Sequence, residues 1–342
     1  MVGDRVGLRV DGGVNCALAD VPQAASALER RGYGGCWTAE VNHDPFLPLA
    51  LAAEHTSSIE LGTGIAVAFA RTPMTVANVG WDLQGYSRGR FILGLGSQIQ
   101  PHIENRFSMP WSHPVRRMRE FIAALQAIWT CWRDGDRLQF EGDFYTHKLM
   151  TPMFVPESHE YGFPKVFVAA VGDAMTELSG EVCAGLVGHA FTTRRYLLEV
   201  TEPAVRRGLE RAGRARSEFE MTSPVFVVTG TDEGEMAVAA ARARKQIAFY
   251  ASTPAYRRVL ELHGWGDLQP ELRRLSLGGE WDAMAQLIDD TMLAEFAVVA
   301  PVDELAPAIR ERCAGVIDRV TVGLPPQLPE ETVKAVLVEL QM

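Results

Sequence analysis

Residues 59–67 read Ile-Glu-Leu-Gly-Thr-Gly-Ile-Ala-Val, a mostly apolar run that contains two glycines. A near-continuous apolar run of this length is typical of a strand that is covered on both faces of a parallel sheet. Because glycine weakens a strand, Gly62 and Gly64 indicate either a bulge or the close approach of a ligand. The stretch therefore predicts an interrupted strand within a parallel sheet.

Seven further apolar runs alternate with stretches of helical period. Eight strands separated by helices favour a parallel sheet that closes into a barrel over an open one. The fold class that we predict is therefore α/β, a (β/α)8 TIM barrel. The predicted strands are Val6–Val10, Gly35–Ala39, Ile59–Ala66, Phe91–Leu95, Val166–Ala170, Leu186–Phe191, Val225–Thr229 and Val316–Val322.

The predicted helices begin at recognisable signals. Asp20 precedes Pro22 and Thr72 precedes Pro73, so each start combines a side-chain acceptor with a proline in the first turn. The longest amphipathic stretch follows Pro114, and its apolar residues repeat at three- and four-residue steps. We expect that stripe to lie against the barrel wall.

Two segments interrupt the alternation of strands and helices. Residues 135–164 predict a hairpin followed by a Pro-rich loop, and so long a connection in a compact domain is usually functional or mobile. Residues 252–295 predict extra helices before the last βα unit. Since no linker rich in Pro, Gly or Ser marks a boundary, we expect residues 1–342 to form one domain, although the length would also suit two.

The composition excludes several classes of protein. With 33 Lys+Arg against 43 Asp+Glu the net charge is −10, which argues against nucleic-acid binding because phosphate contacts require basic patches. The five cysteines form no C-x-x-C pair and the histidines have no metal-ligand spacing, so neither a disulfide framework nor a metal site is predicted. The chain begins without a signal-peptide pattern and contains no apolar run of about 18 residues. We expect a cytoplasmic protein with a small-molecule substrate and no membrane partner.

In a barrel of this kind, active-site residues gather at the carboxyl ends of the strands. That rule selects six segments that follow or overlap the ends of the first six predicted strands. They are Asp11 and residues 40–44, 63–69, 96–102, 171–175 and 189–193.

Two of these segments carry recognisable chemistry, and each has a structural alternative. Residues 40–44, Glu-Val-Asn-His-Asp, offer two carboxylates and an imidazole for proton transfer, but Asp44 and Pro45 would also start the next helix. Residues 169–175 predict a strand, a tight turn and a helix start, whose backbone N–H groups could receive a phosphate. Alternatively, Asp173 caps its own helix and opposes an anion.

Six motifs follow one another between residues 33 and 323. They are Gly34–Glu40 with Asp44–Phe46, Ile59–Val67, Gly89–Gln98, His113–Glu120, Ala169–Gly172 and Glu181–Leu186. Each motif alone is weak, but the ordered set resembles the bacterial luciferase-like superfamily, and within it the branch of coenzyme F420-dependent oxidoreductases.

The resemblance implies a barrel that holds a deazaflavin at the carboxyl ends of its strands. In the family, a bulge on the third strand contains a non-prolyl cis peptide that backs the central ring, and Gly64–Ile65 matches it. Glu40 matches an acidic position near the deazaflavin, and Glu40 and His43 are the catalytic candidates for moving a proton. The candidate cofactor contacts are Asp11, Thr63, Gly64, Ile65, Ala66, Ser97, Gln98, Val171, Gly172, Ala174 and Met175.

The leading hypothesis is an F420-dependent oxidoreductase that moves a hydride between the deazaflavin and a small organic substrate. One alternative is an FMN-dependent luciferase-like monooxygenase with the same fold, and another is a non-catalytic scaffold. Arg71, Arg116 and Arg117 would attract the anionic cofactor tail, unless the last two are solvated helix charges. Residues 135–164 would form a lid, and the resemblance also implies a homodimer.

Overall fold

The computed structural model describes residues 7–325 and 327–342. Its parallel barrel strands each pair with the next along the chain, and the last pairs with the first. The predicted (β/α)8 barrel is confirmed. The barrel strands are Arg9–Gly13 (β1), Gly35–Thr38 (β2), Glu60–Thr63 continued by Ala66–Val67 (β3), Phe91–Gly96 (β4), Lys165–Ala169 (β5), Gly185–Val187 (β6), Glu220–Val228 (β7) and Arg319–Val322 (β8).

Four barrel strands differ clearly in their limits from the prediction: β6 ends at Val187 rather than Phe191, and β8 begins at Arg319 rather than Val316. The other two are β1 and β7. β1 ends at Gly13 rather than Val10, and the predicted start at Val6 lies outside the described residues. β7 begins at Glu220, well before the predicted start at Val225. β1 and β7 contain charged residues that form ion pairs inside the barrel, and an apolar pattern does not detect such positions. A short unpredicted strand, Ala297–Val299, pairs with the end of β7.

Helices surround the barrel. They are Val21–Arg31 (α1), Leu47–Glu54 (α2), Pro73–Tyr86 (α3), Gln100–Asn105 (α4), Pro114–Asp134 (α5), Asp173–Val182 (α6), Arg194–Tyr196 (α7), Glu202–Arg211 (α8), Glu233–Ala251 (α9), Arg257–Leu262 (α10), Leu268–Leu277 (α11), Trp281–Gln286 (α12), Asp290–Phe296 (α13), Leu305–Cys313 (α14) and Glu330–Gln341 (α15). Thr72 caps α3 through a hydrogen bond from the Thr75 N–H, as predicted, whereas Asp20 makes no such bond at the start of α1. Among the described residues, no helix has both the length and the apolar character needed to cross a membrane.

The apolar stripe of α5 is buried as predicted. Met118, Phe121, Leu125 and Trp129 are each at most 1% exposed. The helix packs against α3, and the Trp129 indole N–H donates to the Ala77 carbonyl at 3.1 Å. The stripe therefore forms part of the main core, between the helix layer and the barrel.

Both interrupting segments have the predicted secondary structure. Residues 135–164 contain an antiparallel hairpin, Phe140–Glu141 with Thr146–His147, followed by an irregular stretch. That stretch runs beside α3, where the Trp81 indole N–H donates to the Glu157 carbonyl. The lid function stays a prediction. Residues 252–295 form α10, α11, α12 and most of α13, which share a second apolar cluster with side chains near the ends of β6 and β7.

A network of charged side chains fills the barrel near the amino ends of its strands. Its members are Arg9, Asp11, Glu60, Lys165, Glu220 and Arg319. The fully buried Arg319 guanidinium lies at the centre and pairs with Asp11, Glu60 and Glu220. Since these residues come from β1, β3, β5, β7 and β8, the network joins different walls of the barrel.

Candidate active site

A bulge interrupts β3 near the carboxyl ends of the strands. The Gly64–Ile65 peptide between the two parts of the strand is cis. The Gly64 N–H donates to the Thr38 carbonyl at 2.6 Å, and the Ile65 carbonyl accepts from the Glu40 N–H at 3.2 Å. The predicted bulge and the cis peptide that the resemblance implied are both present, held to the end of β2.

Neighbouring side chains account for the glycines around the bulge. A Cβ on Gly62 would lie 2.6 Å from the Trp37 ring, and one on Gly64 would lie 3.3 Å from it. Gly96 on β4 is opposed in the same way by Ile65, at 2.7 Å. At these three glycines, the group that approaches the backbone closely is therefore a protein side chain.

Glu40 holds the second part of the bulge. Its side chain is 6% exposed, and its Oε2 accepts hydrogen bonds from the Val67 N–H at 2.7 Å and from Arg71 Nη1 at 2.6 Å. Its Oε1 has no hydrogen-bond partner in the part of the chain that the structure describes, and that atom is not fully buried. One oxygen therefore fixes the backbone, and the other is left for a ligand.

The positive charge of Arg71 is balanced by two carboxylates, those of Glu40 and Asp44. Its Nη2 donates to Asp44 Oδ2 at 2.9 Å, so the attraction that we predicted between Arg71 and an anionic tail is weakened. Asp44 Oδ1 accepts from the backbone N–H groups of Phe46 and Leu47, the N-cap and the first residue of α2, so α2 begins later than predicted but its first turn is held by Asp44. His43 is exposed and has no polar partner among the described residues.

Asp11 lies within the barrel rather than after a strand. Because β1 continues to Gly13, Asp11 is in mid-strand, and it is fully buried. Its two oxygens accept from Arg319 at 2.9 Å each, and Oδ2 also accepts from the Trp37 indole N–H at 2.9 Å. The predicted position after β1 is wrong, since an internal ion pair lets the strand contain a carboxylate. Nothing in this geometry favours Asp11 as a cofactor contact.

Of the remaining candidate cofactor contacts on β3 and after β4, some are occupied by contacts within the protein and others are partly exposed. The Thr63 hydroxyl donates to the Gly94 carbonyl and accepts from the Gly94 N–H, and Ala66 is fully buried. Ser97 and Gln98 follow β4 and are half-buried. Gln98 has a φ of +58°, the left-handed region that few residues other than glycine adopt. Only Ser97 and Gln98 of this group present polar side chains at the strand ends.

The loop between β5 and α6 presents open backbone. Gly172 is the N-cap of α6, and a Cβ there would meet no atom within 4 Å. The first N–H groups of a helix have no intrahelical acceptor, and in α6 those of Asp173 and Ala174 are available to an anion, whereas the Met175 N–H donates to the Gly172 carbonyl. Asp173 makes no capping hydrogen bond in the described structure, although its carboxylate lies in the first turn. Val171 is half-buried, Ala174 is exposed and Met175 is buried.

The two arginines that begin α5 have different environments. Arg116 is exposed and pairs with Asp143. Arg117 is buried: its Nε donates to the Tyr145 hydroxyl at 2.8 Å, and its guanidinium lies 4.5 Å from the centre of the Phe69 ring. Arg117 is therefore neither a solvated charge nor a free cation, and it ties the hairpin segment to the core.

One residue of interest was not singled out by the sequence, although its segment was. His189 follows β6, and its Nδ1 accepts a hydrogen bond from the Phe191 N–H at 3.0 Å. Its ring stacks on Tyr256 at 4.7 Å and meets the edge of Tyr250 at 4.6 Å. The only signal for it in the sequence is a histidine close behind an apolar run, because both tyrosines come from the distant 252–295 region and the helix before it.

Two cavities elsewhere in the molecule contain none of the predicted site residues. One of about 440 Å³ is lined by residues after β7, such as Gly230, and by α15, including Val336. The other, of about 370 Å³, lies at the amino ends of the strands beside Arg9 and Glu60. Neither lies at the bulge, so the candidate site rests on the strand-end geometry and not on cavity size.

Comparison with known proteins gives a family, two relatives and a solved structure. A family model described as luciferase-like monooxygenase matches residues 4–319. An uncharacterized protein of Mycobacterium tuberculosis is 66% identical over 313 residues, 92% of each chain. Another protein of that organism carries the provisional name coenzyme F420-dependent oxidoreductase and is 26% identical over 300 residues, 83% of this chain and 84% of its own. The solved coenzyme F420-dependent tetrahydromethanopterin reductase of Methanopyrus kandleri has the same fold, with a TM-score of 0.79, 20% identity and 98% of each chain covered.

Proposed function

The chain belongs to the luciferase-like monooxygenase family, and on that premise we propose that it is a coenzyme F420-dependent oxidoreductase. It would transfer a hydride between the deazaflavin and a small organic substrate. The observation that carries the proposal is the relative provisionally named as F420-dependent, because it matches 83% of this chain. The homodimer and the cytoplasmic location stay predictions.

The residues at the strand ends fit a flat cofactor with an anionic tail. The bulge at Gly64–Ile65 would lie behind the ring, with Ser97 and Gln98 beside it. The open backbone at Gly172, where a Cβ would meet no atom within 4 Å, together with the first N–H groups of α6, would receive the phosphate. When bound, the deazaflavin supplies the hydride chemistry, and the protein supplies position and electrostatics.

Glu40 is the better placed of the two catalytic candidates. Its Oε2 is held by Val67 and Arg71, which fixes the carboxylate, while Oε1 is free to exchange a proton with the substrate. His43 would reach the substrate only from an exposed loop. We therefore propose that Glu40 moves the proton that accompanies the hydride.

Titration of the purified apoprotein with F420 and with FMN tests the cofactor. We expect saturable F420 binding, seen as a change in its fluorescence, and weak or absent FMN binding. Tight FMN binding without F420 binding would identify the chain as an FMN-dependent monooxygenase instead. Failure of both cofactors to bind would support the non-catalytic alternative.

Glu40→Gln tests the proton transfer. We expect the variant to slow the bleaching of bound F420 by an active substrate by about 10²- to 10⁴-fold, because general acid–base catalysis contributes that much. Its affinity for F420 should stay within about threefold of the wild type. Asp44→Asn is the matched control, since Asp44 shares Arg71 but is 40% exposed, and its rate should be close to normal. Equal rates for Glu40→Gln and wild type would exclude the role.

A further inference from the structure

His189 lies two residues beyond the carboxyl end of β6. Val187, two residues earlier, packs with Trp37, Ile92 and Phe167 inside the barrel. Because side chains alternate along a strand and the Gly188 N–H still donates to the Thr222 carbonyl of β7, we expect His189 to follow Val187 on the inner side. In a closed barrel of eight strands, β6 is opposite β2, which ends just before Glu40.

Hydrogen bonding fixes the tautomer of His189. Its Nδ1 accepts from the Phe191 N–H at 3.0 Å, so a neutral ring must carry its proton on Nε2. No described residue accepts from Nε2, and that nitrogen is not fully buried. The ring therefore presents a single oriented N–H donor without a protein partner.

The environment of His189 is aromatic and uncharged. Tyr256 stacks on one face of the ring at an interplanar angle of 23°, and Tyr250 approaches at 89°. Burial lowers the pKa of His189 to about 4, and no charged neighbour contributes to that shift. The imidazole is consequently neutral at physiological pH, which suits a hydrogen-bond donor and not an acid that loses a proton.

We propose that His189 is a substrate-positioning residue whose Nε2–H donates a hydrogen bond to the carbonyl oxygen of an uncharged substrate with an apolar body. This inference rests on the proposed function and adds the class of substrate to it. The aromatic rings of Tyr250 and Tyr256 form the neighbouring apolar surface. A carboxylate or phosphate is disfavoured at this position, since a neutral imidazole does not compensate for the desolvation of an anion.

Two substitutions, His189→Asn and His189→Gln, distinguish the roles of the two ring nitrogens. Asn at position 189 places an oxygen near the Nδ1 position, keeps the acceptor for the Phe191 N–H and removes the distal donor. Gln places an N–H near the Nε2 position and restores the donor. His55→Gln is the control, because His55 is exposed just after α2 and lies in none of the candidate segments.

The binding test uses acetophenone as the carbonyl probe and ethylbenzene as the probe of similar shape without oxygen. We expect His189→Asn to weaken acetophenone binding about three- to tenfold, the effect of one neutral hydrogen bond, and to leave ethylbenzene binding unchanged. His189→Gln should recover most of the acetophenone affinity. Equal losses for both probes, no loss in the Asn variant, or no acetophenone binding by the wild type would each overturn the proposal.

Nitrogen NMR of histidine-labelled wild-type protein gives a readout that requires no variant. We expect His189 to keep the Nε2–H tautomer between pH 5.5 and about 8, and its Nε2 signal to move when acetophenone is added. A proton on Nδ1, or an Nε2 signal that acetophenone leaves unchanged, would contradict the proposal.

Titration of the same samples with F420 separates the two proposals. If the protein binds F420 but the His189 substitutions do not change acetophenone binding, only the positioning role is refuted. Protein that binds acetophenone through His189 but does not bind F420 refutes the cofactor assignment alone.

Discussion

At the scale of single residues, the buried polar side chains differ in how completely they are satisfied. The Thr63 hydroxyl both donates to and accepts from Gly94, and the Arg117 guanidinium is held by the Tyr145 hydroxyl. Both ring nitrogens of His159 are buried without a hydrogen-bond partner, although the ring packs on Trp81 at 4.2 Å. An unsatisfied buried polar group costs about 1–3 kcal/mol, so His159 is a weak point of the 135–164 segment.

His159→Phe is therefore expected to stabilise the protein. The phenyl ring keeps the contact with Trp81 and removes the cost of burying two unpaired nitrogens, so the free energy of unfolding should rise by about 1 kcal/mol. Urea denaturation followed by tryptophan fluorescence measures the change. His102→Phe on the exposed surface should alter stability by less than about 0.5 kcal/mol. A loss of stability in His159→Phe would show that the imidazole has a hydrogen-bond partner.

At the scale of elements, one side chain of α1 fixes the connection between α2 and β3. Glu29 Oε1 accepts from the N–H groups of Ser57, Ser58 and Ile59 and from the Ser58 hydroxyl, at 2.7–3.0 Å. Burial by itself would raise the pKa of Glu29, but these hydrogen bonds stabilise the carboxylate and lower the pKa to about 2. The start of the bulged strand is thereby positioned from outside the barrel.

The stability that Glu29 contributes should depend on pH. Because its pKa is lower in the folded protein than the ordinary value of 4.5, the contribution is complete above about pH 5 and is lost as the pH falls towards 2. Glu29→Gln should lower the free energy of unfolding by about 2 kcal/mol at pH 6 and by less at pH 3. Urea denaturation at both pH values is the measurement.

Glu330→Gln provides the control for that comparison. Glu330 is exposed and pairs with Lys334 one helical turn away, so its removal should leave stability nearly unchanged at either pH. A difference between wild type and Glu29→Gln that is the same at pH 6 and pH 3 would contradict the assigned role of the carboxylate.

At the scale of the whole molecule, the central guanidinium of the barrel network joins walls that are distant along the chain. Arg319 on β8 pairs with Asp11, 308 residues away, and with Glu60 and Glu220. Burial by itself would lower the pKa of Arg319, but Asp11 and Glu60 raise it overall, so the group stays charged. The closed barrel therefore contains an ion network where an apolar layer would be usual.

Arg319→Met is expected to destabilise the protein strongly. Removing the cation leaves the Asp11 carboxylate fully buried without its partner, and breaking a buried pair in this way costs about 3–5 kcal/mol. Arg9→Met is the matched control, since Arg9 pairs with Glu60 but is 48% exposed, and it should cost less than about 1 kcal/mol. Equal effects of the two substitutions in urea denaturation would refute the central role of Arg319.

The sequence by itself determined the α/β barrel, the order of its strands, the start of α5 and the position of the bulge. These features depend on residues that are close together along the chain: apolar runs, prolines after capping residues, and the paired glycines Gly62 and Gly64. The local pattern of apolar residues indicates which side of each strand or helix is buried. Eight strands that alternate with helices are compatible with few arrangements other than a barrel.

Only the tertiary structure decided which polar residues are available to a ligand. Asp11 and Arg71 look alike in the sequence as charged residues near strand ends, yet both are occupied by carboxylate–guanidinium pairs inside the protein. The Phe191 N–H fixes the tautomer of His189 locally, but the aromatic surroundings of the ring form only when Tyr250 and Tyr256 come to lie beside the end of β6. The physical reason is that hydrogen bonds and ion pairs join residues far apart in the chain, and whether a polar atom is satisfied is fixed only when the barrel closes.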